Sequence, residues 1–308
     1  MKMKLKWVLW PLAILILLPS AYLLYTYQSI KSTAEQMYEE RQPSPVTPTF
    51  TYGGERTKTG ENITKDTDAF TVLVLGVDQR PHDRGRSDVM ILMAVNPTKG
   101  SVLMFNIPRD TRTDIVGYGT VDKINHAYAF GGIPMSVSTV ENFLQFPIDY
   151  YIKVDMEGFS SIVDSLGGVT VNNRMKFEYG GYNFDQGQLN LNGSEALAFS
   201  RMRFEDPKGD LGRNVRQREV LEGILDKALR VSTVFKLETL LNQIGSSVKT
   251  DISFEEMKQL LTEYRHHIGK VEQVEIAGYG QRINGIWYFI VGDKEREDII
   301  TTLREYME

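Results

Sequence analysis

The first 30 residues set one end of the chain apart. Lys2, Lys4 and Lys6 precede an uncharged stretch from Trp7 to Ile30. Its apolar part, Trp7 to Tyr27, has the roughly 20 residues needed to cross a hydrocarbon layer of about 30 Å. Trp7 and Trp10 lie at one end and Tyr22, Tyr25 and Tyr27 at the other, the distribution expected of interface aromatics. The lysines put the N-terminus in the cytoplasm by the positive-inside rule. A cleaved signal peptide is the alternative, but its apolar core is usually only about 7–15 residues. The expectation is an uncleaved signal anchor: a cytoplasmic tail (1–6), one transmembrane helix (7–27), an extracytoplasmic spacer (28–65) and a folded domain (66–308). RQPSPVTPTF and TYGGERTKTGENITKD give the spacer its proline-rich, polar character and no means of burying a core.

Beyond the spacer the pattern alternates. AFTVLVLGVD, DVMILMAVNP and SVLMFNIPRD are continuous apolar runs bounded by Gly, Pro and Asp, which read as buried strands. Turn residues from Asn96-Pro97 to Gly100 predict a hairpin between the second and third. Helical patterns cover Lys123 to Phe130 and Pro134 to Gln145. IDYYIKVD reads as a strand, MEGFSSIVDSLGG as a short helix ending at glycine and GVTVNN as a strand. LNGSEALAFSRMR predicts a helix capped by Asn192 or Ser194. Arg213 to Arg230 predicts a long one, with Val220, Leu221, Ile224, Leu225 and Ala228 on one stripe. Helices follow at Val234–Val248 and Phe254–His267, strands at VEQVEIAG and IWYFIV, and a closing helix at Asp293–Tyr306. This alternation predicts a three-layer α/β fold, a mixed central sheet flanked by helices.

Charge adds the chemistry. The net charge is −5, yet Ser200 to Glu219 holds five arginines: Arg201, Arg203, Arg213, Arg216 and Arg218. Guanidinium groups recognise phosphate oxygens in a planar, bidentate way, so the cluster points to an anion; a solvated basic face paired with Glu205, Asp206, Asp210 and Glu219 is the plainer reading. Arg213 and Gln217 share a helix face, near a helix start that favours anions. Upstream, Asp78 follows one apolar strand and Asp88, in GRSD with Arg86, begins the next. Two carboxylates that face one site suit Mg²⁺ with phosphate and water as the other ligands; a turn cap and an ion pair explain them otherwise. IPRD adds Arg109 and Asp110. There are no cysteines, which excludes disulfides, thiolate metal sites and a cysteine nucleophile. His82, His126, His266 and His267 form no metal or triad pattern, no phosphate-loop or nucleophile-elbow motif occurs, and no lysine-rich block points to nucleic acid.

Read in order, GVD, GRSD, IPRD, KINHAYAFGG, YYIKV, LGGV, LNGxxALAFSRMR and GDxGRxxRQ resemble the LytR–CpsA–Psr family, most of all the wall teichoic acid ligases of bacilli. The resemblance implies an extracytoplasmic phosphotransferase. It would move an anionic glycopolymer from an undecaprenyl-pyrophosphate carrier to the N-acetylmuramic acid C6 hydroxyl of peptidoglycan. It also implies Mg²⁺ on Asp78 and Asp88. Arg86, Arg109, Arg201, Arg203, Arg213 and Gln217 would bind the pyrophosphate, with Asp210 beside them. Arg86, Arg109, Asp110, Arg203 and Arg213 would carry catalysis, with Asp110 or one of the metal-side aspartates as the candidate base. The expected partners are the lipid-linked polymer, peptidoglycan and membrane lipid, with no nucleic acid. Apolar side chains from the helices between Pro134 and Leu166 are expected to line the prenyl-tail pocket, although core packing explains those residues equally well. A prenyl-phosphate-binding regulator and a pyrophosphatase without ligase activity are the alternatives.

Overall fold

The structure is a computed structural model that describes residues 2–43, 68–78, 84–228, 244–262, 264 and 269–308, with backbone alone for 2–14 and 16. In chain order the strands are β1 (Phe70–Val77), β2 (Ser87–Asn96), β3 (Ser101–Asn106), β4 (Arg112–Ile115), β5 (Thr120–Lys123), β6 (Tyr150–Asp155), β7 (Val169–Asn173), β8 (Phe177–Tyr179), β9 (Tyr182–Phe184), β10 (Gly187–Leu191), β11 (Val248–Thr250), β12 (Lys270–Gln273), β13 (Tyr279–Ile283) and β14 (Ile286–Ile290). The helices are α1 (Lys2–Met37), α2 (His126–Leu144), α3 (Met156–Ser165), α4 (Gly193–Arg201), α5 (Asp210–Ala228), α6 (Phe254–Thr262) and α7 (Asp293–Met307).

Six strands form the central sheet in the order β11-β6-β1-β2-β3-β12. The pairs β11–β6, β1–β2 and β2–β3 are antiparallel, whereas β1–β6 and β3–β12 are parallel, so the sheet is mixed as expected. Side chains alternate along β1. Leu73, Leu75 and Val77 face a core built with α2 and α7, where Val137, Val140, Phe143 and Leu303 pack. Phe70 and Val72 face the other way, with Ile91, Met93, Tyr150 and Tyr264. A third cluster lies under β7–β10, where Phe177, Phe184 and Phe199 pack beside Val220 of α5. That helix therefore touches two cores, so its apolar residues spread wider than one stripe.

Several boundaries differ from the sequence pattern. Lys123 ends a strand, and the helix begins at His126. Residues 126–144 are two helical pieces joined at Gly132, whose φ of 66° breaks the spiral before Pro134. The long basic helix starts at Asp210, three residues ahead of Arg213, and its predicted end at 229–230 lies outside the described residues. So does most of the helix expected over 234–248, of which Val248 belongs to β11. Within the helix expected over 254–267, α6 covers Phe254–Thr262, and 263 and 265–268 lie outside the described residues. The small hairpins β4–β5 and β8–β9 have too few residues for periodicity to reveal, and of β13–β14 the pattern showed only the second strand, IWYFIV.

The expected spacer also needs correction at its start. α1 continues to Met37, Ala34 and Met37 are buried, and Tyr38 bridges Thr250 at the sheet edge. The Tyr151 hydroxyl donates to the Glu39 carbonyl and Lys249 Nζ to the Gln36 carbonyl, so 28–43 are docked on the domain rather than extended away from it. Residues 44–67 lie outside the described ones. Among the described residues no helix is long and apolar enough to cross a membrane. Nine of the 21 residues of the expected span, 7–14 and 16, fall where side chains are not described. In the rest of it Leu15, Leu17, Leu18, Leu23 and Leu24 are each 65–70% exposed.

Candidate active site

Between the sheet and the layer of α3, α4, α5 and α6 lies an apolar cavity of about 440 Å³. Its floor is the face of β1 and β2 that carries Val72, Val74, Ile91 and Met93. Its roof includes Phe159 and Ile162 of α3 and Leu221 and Leu225 of α5. The helices expected to line a prenyl pocket divide between the two faces of the sheet. α3 lines the cavity, but α2 packs on the opposite face of the sheet, because the side chains of alternate strand positions point to opposite sides.

The polar residues of the cavity are few and gathered: Asp78, Asp88, Asp155, Ser200, Arg201, Arg213 and Gln217. Asp78 and Asp88 come together because β1 and β2 are antiparallel neighbours. Val77 pairs with Ser87, so the aspartate after one and the aspartate beginning the other share an end of the sheet. Arg213 and Gln217 project from the first two turns of α5, both about nine-tenths buried.

Arg109 ties this mouth together. Its Nη1 donates to Asp88 Oδ1 at 2.9 Å, its Nε lies 3.8 Å from Asp110 and its Nη2 lies 3.9 Å from Asp210. Asn125 also donates to Asp88, at 3.2 Å, and Lys123 Nζ holds Asp110 at 2.7 Å. Arg213 Nη2 sits 2.8 Å from Asp210 Oδ1. Burial by itself lowers the Arg109 pKa, but the Asp88, Asp210 and Asp110 carboxylates outweigh it and hold it above its ordinary value. For Arg213 burial wins and the pKa falls: Asp210 opposes the shift, while the neighbouring Arg109 cation adds to it. Arginine remains charged in both cases. The Nε of Arg109 and the Nε and Nη2 of Arg213 are buried donors without a hydrogen-bond acceptor among the described residues; the close Asp210 oxygen lies near Nη2 but off the line of its N–H. Buried, unmet guanidinium donors are costly until an anion with several oxygens accepts from them.

The remaining arginines divide by what they touch. Arg201 lines the cavity mouth from the end of α4. Arg216 Nη1 pairs with Asp206 at 2.5 Å and Nη2 donates to the Met202 carbonyl at 2.5 Å, so this side chain clamps the loop between α4 and α5. Gly212 permits the clamp, since a Cβ there would fall on the Asp206 carboxylate. Arg218 donates to Asn106, Gln273 and Glu275 and joins α5 to β3 and the β12 edge. Two of the expected pyrophosphate ligands do not line the apolar cavity. Arg203 stacks on Phe204, 4.4 Å from its ring centroid, and lines a second groove rather than the apolar cavity. Its position two residues after Arg201 puts it past the helix end, on a chain turned the other way. Arg86 is exposed and lines neither opening; its carbonyl accepts from the Asp78 and Asp88 N–H groups. Asn125 and Lys123, which hold Asp88 and Asp110, are site residues missed by the motif reading. KINHAYAFGG contains both, but nothing in its spacing says which way they point.

The apolar cavity thus ends in arginines and carboxylates. Residues 24–305 match the LytR_cpsA_psr family. The chain belongs to this family. A curated relative, the polyisoprenyl-teichoic acid–peptidoglycan teichoic acid transferase TagU of Bacillus subtilis (strain 168), is 41% identical over 297 residues, which is 96% of this chain and 94% of the relative. The crystal structure of B. subtilis TagU superposes with a TM-score of 0.64 at 44% identity, covering 78% of this chain and 97% of that one. TagT bound to LI-WTA superposes with a TM-score of 0.66 at 30% identity, covering 78% and 91%. This member of the LytR–CpsA–Psr family is an enzyme of the transferase kind, acting in the cell wall.

Proposed function

We propose that the enzyme transfers an anionic glycopolymer, wall teichoic acid, from an undecaprenyl-pyrophosphate carrier to the N-acetylmuramic acid C6 hydroxyl of peptidoglycan. One observation carries this reading: the 440 Å³ apolar cavity ends at Arg201, Arg213 and Gln217 with the Arg109–Asp88 pair beside them. A greasy chamber closed by guanidinium groups matches a prenyl chain with a diphosphate head, and few other ligands combine the two. The relative named TagU and the TagT structure bound to LI-WTA support the polymer class.

In the reaction, the acceptor hydroxyl oxygen forms a bond to the sugar-side phosphorus. The bond from that phosphorus to the bridging oxygen breaks, and undecaprenyl phosphate leaves. The hydroxyl proton passes to a carboxylate, for which Asp110 is the candidate. Phosphoryl transfer asks the protein mainly for alignment and charge neutralisation. Arg109 and Arg213 supply fixed cations where charge gathers on the leaving phosphate, in a site where burial weakens screening. Asp78 and Asp88 are the residues that would hold Mg²⁺. Among the described residues no group of three or more acidic or histidine side chains could hold a metal alone, so water and phosphate oxygens would complete the shell, the usual pattern for this ion. Bound there, Mg²⁺ supplies further neutralisation of the diphosphate.

The exposed leucines of α1 support a lipid-facing helix that anchors the enzyme at the outer side of the membrane. The test is reconstitution. The full chain in detergent or vesicles is mixed with a prenyl-pyrophosphate-linked disaccharide, peptidoglycan oligomers and Mg²⁺. A phosphodiester-linked product is expected, and Arg109→Ala and Arg213→Ala should each lower turnover at least about 100-fold. Free sugar phosphate alone would mark a pyrophosphatase, and intact bound lipid a carrier protein.

A further inference from the structure

A second opening, about 550 Å³, lies on the other side of Arg109. Asp110 and Asp210 form its inner end, and the loop after α4 makes one wall through Arg203 and Phe204. The β13–β14 hairpin makes the other. This hairpin is tied to the charged centre by its backbone: the Phe289 N–H donates to the Asp110 carbonyl at 2.8 Å, and Thr111 bridges Phe289. Tyr288, on the opposite face of the hairpin, donates to Asp122, the partner of His126.

The groove displays aromatic rings to solvent. Trp287 is 49% exposed and Phe204 is 82% exposed, in a molecule whose cores bury most other large rings. Trp287 is seated rather than loose. It shares a hairpin face with Gly280, and a Cβ at Gly280 would fall inside the indole ring. Phe289 lies over Gly278 in the same way, where a Cβ would come within 2.6 Å of the ring. The hairpin thus presents a flat indole in a groove that Asp110 and Asp210 also line, with Arg203 stacked on Phe204 in the opposite wall.

We infer that this groove binds the acceptor glycan, with Trp287 as the platform for the apolar face of a pyranose ring and Asp110 and Asp210 at the reacting end. The inference rests on the ligase reading. Three features point to a polysaccharide. In-line displacement brings the nucleophile from the side opposite the leaving group. The leaving prenyl phosphate belongs to the apolar cavity, and Arg109 touches Asp88 of that cavity with Nη1 and faces Asp110 and Asp210 of the groove with Nε and Nη2. Of the two openings the groove is the more open, which suits a polymer fixed in a wall. A sugar ring is apolar on its C–H faces and polar around its rim, which matches an exposed indole flanked by carboxylates and a guanidinium; a large, rigid ring with a polar edge makes such contacts at small entropic cost.

Full-length Trp287→Ala, Trp287→Phe, Gly280→Ala and Phe204→Ala are compared with the parent protein for binding of a peptidoglycan tetrasaccharide and for the acceptor KM of transfer. Trp287→Ala should weaken glycan binding and raise the acceptor KM by about tenfold or more. Gly280→Ala, which tilts the indole, should do part of the same, and Trp287→Phe should restore most of the loss. Affinity for the prenyl-pyrophosphate donor reads the other cavity and reports that each variant is folded. Unchanged glycan binding in both Trp287→Ala and Phe204→Ala overturns the inference. Transfer by the parent protein with an acceptor KM indifferent to Trp287 also overturns it while leaving the ligase reading intact. Glycan binding that depends on Trp287 without any transfer would support the groove and defeat the ligase reading.

Discussion

Asp210 offers the sharpest test of the charged centre, because its removal should move stability and anion affinity in opposite directions. Its carboxylate stands 2.8 Å from Arg213 and 3.9 Å from Arg109. At an effective dielectric near 20 these separations correspond to gross attractions of about 6 and about 4 kcal/mol. The Asp210 side chain is 30% exposed, and all three charges lose hydration on folding, so the net contribution is reduced to about 1–3 kcal/mol. In Asp210→Asn the two guanidinium groups face each other with less negative charge between them. The variant should therefore unfold at lower urea, by about 1–3 kcal/mol. It should also bind inorganic pyrophosphate more tightly, since an anion then supplies what the carboxylate supplied. A ligand at 100 times its Kd stabilises by about 2.7 kcal/mol, so saturating pyrophosphate should stabilise the variant more than the parent and narrow the gap. Urea titrations of both proteins with and without pyrophosphate decide the matter. A gap that stays constant, or weaker pyrophosphate binding by the variant, would refute the view that Asp210 and the ligand compete for the same cations.

Leu221→Trp should fill the apolar cavity from its α5 side. Affinity for a prenyl-pyrophosphate donor should fall about tenfold or more while inorganic pyrophosphate binds as before, and calorimetry with the two ligands reads the difference. Equal losses for both would place the defect in the charged mouth instead. Asp251, near Arg41, has its pKa raised to about 6 by burial, against hydrogen bonding from Tyr151 and the Arg41 cation. Because the folded form holds its proton more tightly than the unfolded chain, this group's contribution is full below about pH 4 and is lost as pH rises to about 6; the shift corresponds to about 3 kcal/mol. Asp251→Asn should flatten the stability curve between those pH values, and parallel curves for variant and parent would exclude the assignment.

The strands of the central sheet were legible because each is a long apolar run, buried on both faces and closed by Gly, Pro or Asp. The α4 start was legible for a local reason: Asn192 and Glu195 form a reciprocal capping box within four residues. The hairpin at β13–β14 was half visible through IWYFIV, but its partner YGQRI has no period, and the two glycines make sense only with the rings that lie on them.

The same division holds for the site. The amino-acid sequence by itself determined which groups are available: arginines and aspartates at strand ends and along one helix, an apolar leader and no thiol chemistry. It also determined the layering, since burial periodicity is a local property of the chain. Only the tertiary structure decided which arginines face which opening or partner. Arg213 points to the apolar cavity, Arg203 to the groove, Arg216 to a clamp and Arg218 to the sheet edge, although all four lie within 16 residues. The reason is geometric. Around a helix each residue turns by about 100°, and past its end direction is set by the next contact, so neighbours in sequence diverge in space, whereas Asp88 and Asp210, 122 positions apart, meet on one guanidinium because the sheet and α5 pack there.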